Sequence, residues 1–352
     1  MNKQVRKISP GQIIILFGAA GALYASICGR YAPEGELLGN AVLSALVTAL
    51  LSIPLCIFSM RQKGDRNDDI MENISRKSRL LGIISGILLT VYFIGCGGAV
   101  LISFGEFVSE RVFPEGNIYV CLLLTGLVCI YAAHTGAQAV SRMTTFIFGL
   151  MLFAMAVFIL SGYEDIFTAH GDMLIPRDIS LRDIFKGGFG VGMLPVFTAG
   201  AVSLAMLTRP AADGVSKGLF GGLAAMLLMS AAVTAAVWAV LGDFTVMTEY
   251  PALDAAVYAG RHMTFSFHGL FYALWIITAA AAVSMLCACG GRALRGVFPG
   301  IRVGGMVTAG VCVLLAMGDI WLGTGICRGI FESAAGMVLL VIIPIMGGGK
   351  KG

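Results

Sequence analysis

Residues 80–104 read LLGIISGILLTVYFIGCGGAVLISF, without one charged side chain, and residues 37–60 are equally free of charge. Such stretches match the roughly 20 apolar residues that carry an α-helix across a bilayer. Inside hydrocarbon every backbone N–H and C=O needs an internal partner, so a chain made of such stretches folds as spanning helices. Of the 352 residues, 58% are hydrophobic and only 12% are charged, against about 45–50% and about 25% in soluble domains. A soluble globule has too little interior to hide this much apolar surface. The same balance excludes disorder and argues against a nucleic-acid-binding role.

Ten apolar stretches can be drawn, at about 10–30, 38–60, 80–105, 117–133, 140–161, 187–207, 216–241, 265–290, 303–318 and 329–346. They predict an all-α integral membrane protein of about ten transmembrane helices, residues 1–352 forming one transmembrane domain. Lys and Arg set the orientation, because they favour the cytoplasmic side. With the N-terminus inside, 17 of the 24 basic residues fall inside and 7 outside. Ten spans return the C-terminus, GGGKKG, to the cytoplasmic side. The basic start, MNKQVRKISPGQ, runs straight into the first stretch and reads as a retained first helix, not a cleaved leader.

Ten spans divide into two sets of five, the second starting on the opposite side of the membrane. This predicts a 5+5 inverted repeat, residues 10–161 and 187–346, as in many secondary transporters, whose broken helices form a site near the midplane. Spans 1 and 6 open the two halves. Span 1 carries Gly18 and Gly21; span 6 carries Gly187, Gly188, Gly190, Gly192, Pro195 and Gly200. The expectation is that both unwind at these positions. The competing expectation is that glycine, 47 residues here, mainly lets helices approach closely; span 3, with Gly95, Gly97 and Gly98, keeps that alternative open.

The nine cysteines lie mostly in apolar runs, with no CxxC pair and no Cys/His cluster of metal spacing. They read as small buried residues. No G-x-S-x-G, H-E-x-x-H or G-x-x-x-x-G-K-[ST] motif occurs, and GGFGVG at 187–192 follows an outer loop rather than a strand. Neither an enzyme nor a cofactor is expected. Arg328 and Glu332 stand four apart and predict a helical ion pair. Glu106, Glu110 and Asp319 sit at span ends and read as solvated.

Two stretches carry a resemblance: LLGIISGILLTVYFIGCGGAVLISFGEFVSERVFPEG (80–116) and EYPALDAAVYAGRHMTFSFHGLFYALWIITAAAAVSMLCACGGRALRGVF (249–298). With the Tyr250-Pro251 pair, the short amphipathic segment after it, Trp275, the opening KISPGQ and GAQAVSRMTTFIFGLMLF followed by a loop ending in MLIP, the chain resembles the GerAB-type spore germination permeases. That family belongs to the amino acid–polyamine–organocation transporter superfamily. The resemblance implies a permease-like B subunit of a germinant receptor in the inner spore membrane. Its implied partners are an A subunit and a lipoprotein C subunit, and its implied ligand is a small germinant such as an amino acid. The chain departs from the pattern in span 6: many relatives carry an acidic residue after a glycine, whereas Ala201 follows Gly200 here, which bears on ion coupling.

Unwound spans would offer free N–H and C=O groups to a zwitterion, half-helix N-termini favouring its carboxylate and exposed carbonyls its ammonium. The substrate-binding candidates are therefore Gly18, Ala19, Ala20 and Gly21 of span 1, and Phe197, Thr198, Ala199 and Gly200 of span 6. Facing walls would come from Tyr92 and Cys96, one helical turn apart on span 3, and from Tyr272, Trp275 and Thr278 on span 8. A Tyr hydroxyl bonded to a neighbouring helix and a Trp at the membrane interface are the structural alternatives for Tyr92 and Trp275. Three functions fit: a ligand-binding receptor subunit, an ion-coupled amino-acid transporter, or a scaffold with a vestigial pocket.

Overall fold

The computed structural model describes residues 9–28, 71, 74–75, 78–161, 196, 198–203, 215–241, 244, 247–248, 250–259, 267–298, 300–333, 335–336 and 338–339. The expected second span, Phe197 with most of the sixth, the end of the tenth and both termini lie outside these residues. Among the described residues the regular structure is helical, with no strand. The helices are α1 (Pro10–Cys28), α2 (Arg79–Phe107), α3 (Ile118–Thr135), α4 (Ala137–Ser161), α5 (Val215–Leu241), α6 (Pro251–Ala259), α7 (Phe267–Val297), α8 (Gly304–Leu322) and α9 (Ile326–Glu332). Five of the described helical stretches are long and apolar enough to cross a membrane: Arg79–Val112, Ile118–Thr135, Ala137–Val157, Gly269–Val297 and Gly304–Leu322. The protein is a multi-pass membrane protein.

Apolarity alone does not rank these helices, but burial does. In α2 and α7 the apolar window is 67% and 61% buried, whereas in α3 it is 22%. The two are the central pair, and α3 turns Leu123, Leu124, Leu127 and Val128 outward, as a lipid-facing helix does. α2 and α7 run antiparallel: Phe93 lies against Gly290, Cys287 near Gly97, and Trp275 against Phe107. α3 and α8 are also antiparallel, Gly126 facing Val313 and Gly305 facing Ala133. α1 and α5 instead run parallel, since Gly218, Gly222 and Met226 meet Ile13, Phe17 and Gly21 in turn.

The α1–α5 seam corrects an expectation. α1 is continuously helical through Gly18 and Gly21. A Cβ at Gly21 would stand 2.5 Å from the Met226 carbonyl oxygen, and one at Gly18 would stand 3.0 Å from the Phe148 ring. The Ser230 hydroxyl donates to the Gly21 carbonyl at 3.0 Å. These glycines do not open the helix. They let α1 close on α4 and α5, the small-residue packing that replaces hydrophobic drive in lipid.

Chain reversals explain two more differences. Gly323 and Gly325 adopt left-handed φ values of 63° and 66°, which side chains rarely tolerate, and so turn α8 into α9. Asp319 is buried in this turn, accepting from the Ile326 and Cys327 N–H groups at 2.9 and 2.8 Å and from the Thr324 hydroxyl. It caps α9 and is not a solvated end group, because first-turn N–H groups need acceptors. Likewise Arg328 pairs with Glu106 of α2 and not with Glu332; the packing of α9 on α2 supplies a carboxylate that helical spacing cannot foresee.

Candidate functional site

Buried hydroxyls need acceptors, and most here find one four residues back. Ser26, Thr90, Ser203, Thr278 and Ser284 donate to the carbonyls of Ala22, Gly86, Ala199, Leu274 and Ala280 at 2.6–2.8 Å. Tyr92 is different. It is 3% exposed near the middle of α2, and its hydroxyl makes no hydrogen bond of good geometry with the described residues. Its polar neighbours are the Thr198 hydroxyl and the Cys96 thiol. The described residues 198–203 are helical, and Gly200 lies against the Phe17 ring of α1, which would stand 2.7 Å from an added Cβ.

Tyr92, Cys96 and Thr198, named from sequence, thus converge in the core, with Ala199 buried beside Thr198 and Gly200 joined to α1 through Phe17. Gly18 and Gly21 face α4 and α5, with Ala19 buried and Ala20 half-buried between them. Phe197 lies outside the described residues. Gly336, which sequence reasoning missed, meets the same point: a Cβ on it would stand 2.6 Å from the Thr198 Oγ1 and closer still to the Tyr92 hydroxyl. A lone glycine in an apolar stretch gives no signal of such a contact.

The α7 candidates stand elsewhere. Trp275 packs on Phe107 and Phe104, with ring centroids 4.3 and 6.3 Å apart, and Tyr272 meets Phe107 edge-on at 5.6 Å. Those phenylalanines lie 12 and 15 residues beyond Tyr92, about 18–22 Å along the helix. One small ligand does not touch both levels. Trp275 is 3% exposed, so it is no interfacial anchor, and its indole N–H has no acceptor among the described residues. Thr278 faces α4, its hydroxyl 3.4 Å from the Met151 sulfur.

Above this aromatic layer α2 continues as a π-helical turn, Val108–Val112. Its side chains fasten α6 to the bundle: the Tyr250 hydroxyl donates to Glu110 at 2.7 Å, and Arg111 pairs with Asp254 at 3.2 Å. Glu106 and Glu110 are therefore partnered residues, not merely solvated ends. Partial burial lifts the Asp254 carboxyl above its ordinary range, against the opposing pull of Arg111.

Comparison with solved structures gives the fold. A crystal structure of the Eremococcus coleocola manganese transporter, in complex with an aromatic bis-isothiourea compound, superposes with a TM-score of 0.56 at 16% identity, covering 96% of this chain and 75% of that one. The two chains share a fold. Among the described residues no group of three or more His, Cys, Asp or Glu side chains is arranged to hold a metal ion. No curated protein matches significantly. The family model described as spore germination protein, the spore permease family, matches residues 41–317. That match spans most of the chain, which belongs to the spore germination permease family.

Proposed function

We propose that this protein is the permease-like subunit of a spore germinant receptor, binding a small germinant such as an amino acid and signalling to partner membrane subunits, the A and C subunits of such receptors. Its place would be the inner spore membrane. One observation carries the binding step: a buried tyrosine hydroxyl that makes no hydrogen bond of good geometry with the described residues, in the core of a transporter-like bundle, with Thr198 and Cys96 as its polar neighbours. A buried donor left unpaired costs about 1–3 kcal/mol, and a ligand oxygen would recover it. The surroundings, Cys96, Ala199, Gly200 and Phe17, favour a ligand with a small apolar side chain.

Packing supports the inverted repeat. If α2, α3 and α4 are spans 3, 4 and 5, and α7, α8 and α9 with its continuation are spans 8, 9 and 10, exchanging halves maps α2–α7 and α3–α8 onto themselves. It maps α2–α8 onto α7–α3, and α2–α9 onto α7–α4; all six pairs pack in the bundle. The parallel α1–α5 seam and the antiparallel α2–α7 and α3–α8 pairs fit ten alternating spans with both termini cytoplasmic. In this scheme Gly18 to Gly21 act by packing, and Tyr272, Trp275 and Thr278 lie outside the ligand's first contacts.

The transporter-like fold favours a second reading, an ion-coupled amino-acid transporter. Paired binding and accumulation of radiolabelled amino acids in sealed proteoliposomes, with and without a proton gradient, separates the two. The receptor reading expects saturable binding without accumulation. Gradient-driven accumulation would establish a transporter, and absence of binding with and without partner subunits would refute both.

A further inference from the structure

The last described part of the chain is not one continuous helix. α9 ends at Glu332, and Ser333 is extended, with φ −70° and ψ 158°. Residues 335–336 and 338–339 are helical again, and the Ala335 N–H donates to the Ser333 Oγ at 3.3 Å. The break delivers Gly336, buried, to the Tyr92 hydroxyl and the Thr198 Oγ1. Three segments distant in sequence thus meet where a buried hydroxyl makes no hydrogen bond of good geometry with the described residues.

We propose that Gly336 is the size-determining wall of the ligand site: its missing side chain lets Tyr92 and Thr198 hold a small ligand's polar head. This rests on the reading that the Tyr92–Thr198 pair binds the germinant. A methyl group on Gly336 would overlap both hydroxyl oxygens and stand 2.9 Å from the Thr198 Cβ. The tyrosine hydroxyl sits on a rigid ring that packs beside Phe93, centroids 5.8 Å apart, and Thr198 is β-branched with few rotamers. Neither yields as a flexible side chain would. The added methyl therefore takes its volume from the ligand, and ligands with larger side chains lose most.

The test is equilibrium binding of tritiated glycine, L-alanine and L-valine to the full chain in lipid nanodiscs, for wild type, Gly336→Ala and Gly149→Ala. Gly149 has no described residue within 4 Å of an added Cβ and controls for helix propensity. One methylene more or less in an apolar pocket shifts discrimination by about 10–200-fold. The glycine-over-valine preference should therefore rise at least about tenfold in Gly336→Ala and stay unchanged in Gly149→Ala. If Gly336→Ala does not fold, Tyr92→Phe/Gly336→Ala is compared with Tyr92→Phe alone, since the added methyl still overlaps the Thr198 Oγ1 there. Wild-type binding with an unchanged preference in a folded 336 variant overturns this inference alone. Absence of wild-type binding to all three overturns it together with the amino-acid reading.

Discussion

Gly21→Ala separates a packing glycine from a site glycine, and its cost can be worked from the α1–α5 seam. The new Cβ would stand 2.5, 2.8 and 2.9 Å from the Met226 carbonyl oxygen, Cγ and Cα. Two of these are backbone atoms, so no rotamer change relieves them. Ordinary contact needs α1 to withdraw by roughly 1 Å, which stretches the 3.0 Å bond from Ser230 to the Gly21 carbonyl beyond hydrogen-bonding range. Overpacking costs about 1–3 kcal/mol and the lost bond about 0.5–1.5 kcal/mol. Against this, alanine gains about 1 kcal/mol in a helix interior. The net loss is about 0.5–3.5 kcal/mol. Gly149→Ala, in α4 with no described residue within 4 Å, should be neutral or gain up to about 1 kcal/mol. Thermal unfolding in one detergent, followed by tryptophan fluorescence, compares the two. Equal stability of both variants, with ligand binding altered only in Gly21→Ala, would refute the argument and restore an opened first span.

Three further outcomes are expected. Asp319→Ala strips the acceptors from two N–H groups of α9 and should lower stability by about 2–3 kcal/mol; Asp319→Asn, which keeps one acceptor, should lose less, as unfolding curves of the two will show. Glu106→Gln leaves the Arg328 guanidinium without its carboxylate, so each single replacement should lower the melting temperature. The charge-swapped pair Glu106→Arg/Arg328→Glu should recover part of the loss, with coupling of about 0.5–3 kcal/mol. For Asp254 the folded-state pKa lies above the unfolded one, so the unfolded chain releases the proton first. Its stabilising contribution is fullest below about pH 3.9 and is lost as pH rises through the raised value. Asp254→Asn should therefore match or exceed wild-type stability at pH 7, the difference fading on acidification; a melting series from pH 7 to pH 4 checks the sign.

The central helices were legible because uncharged runs of spanning length leave little choice in a bilayer. Expected ends of 80–105 and 265–290 compare with Arg79–Phe107 and Phe267–Val297. Periodicity also put Tyr92 and Cys96 on one face. It could not fix levels between helices: that depends on where α7 slides along α2, and the slide sets Trp275 beside Phe107, far from Tyr92. Glycine was ambiguous for a physical reason, since the lack of a side chain permits both an opened helix and a tight seam. Gly18 and Gly21 took the second course, because Met226 and Phe148 occupy the space a side chain would need. The partners of Glu106, Glu110 and Asp319 depend on tertiary contacts between α2, α6, α8 and α9, which local spacing does not encode.

The central claim is that a ligand oxygen completes the Tyr92 hydroxyl. Tyr92→Phe tests it when the melting temperature of the ligand-free protein and its affinity for tritiated L-alanine are measured on the same nanodisc preparation. Removing an unpaired buried hydroxyl leaves ligand-free stability unchanged or raises it, while losing a hydrogen bond worth about 1–3 kcal/mol to a charged carboxylate weakens binding by roughly 5–150-fold. Unchanged affinity in Tyr92→Phe would contradict the account. So would a variant that loses stability without ligand, because the hydroxyl would then already have its partner within the protein.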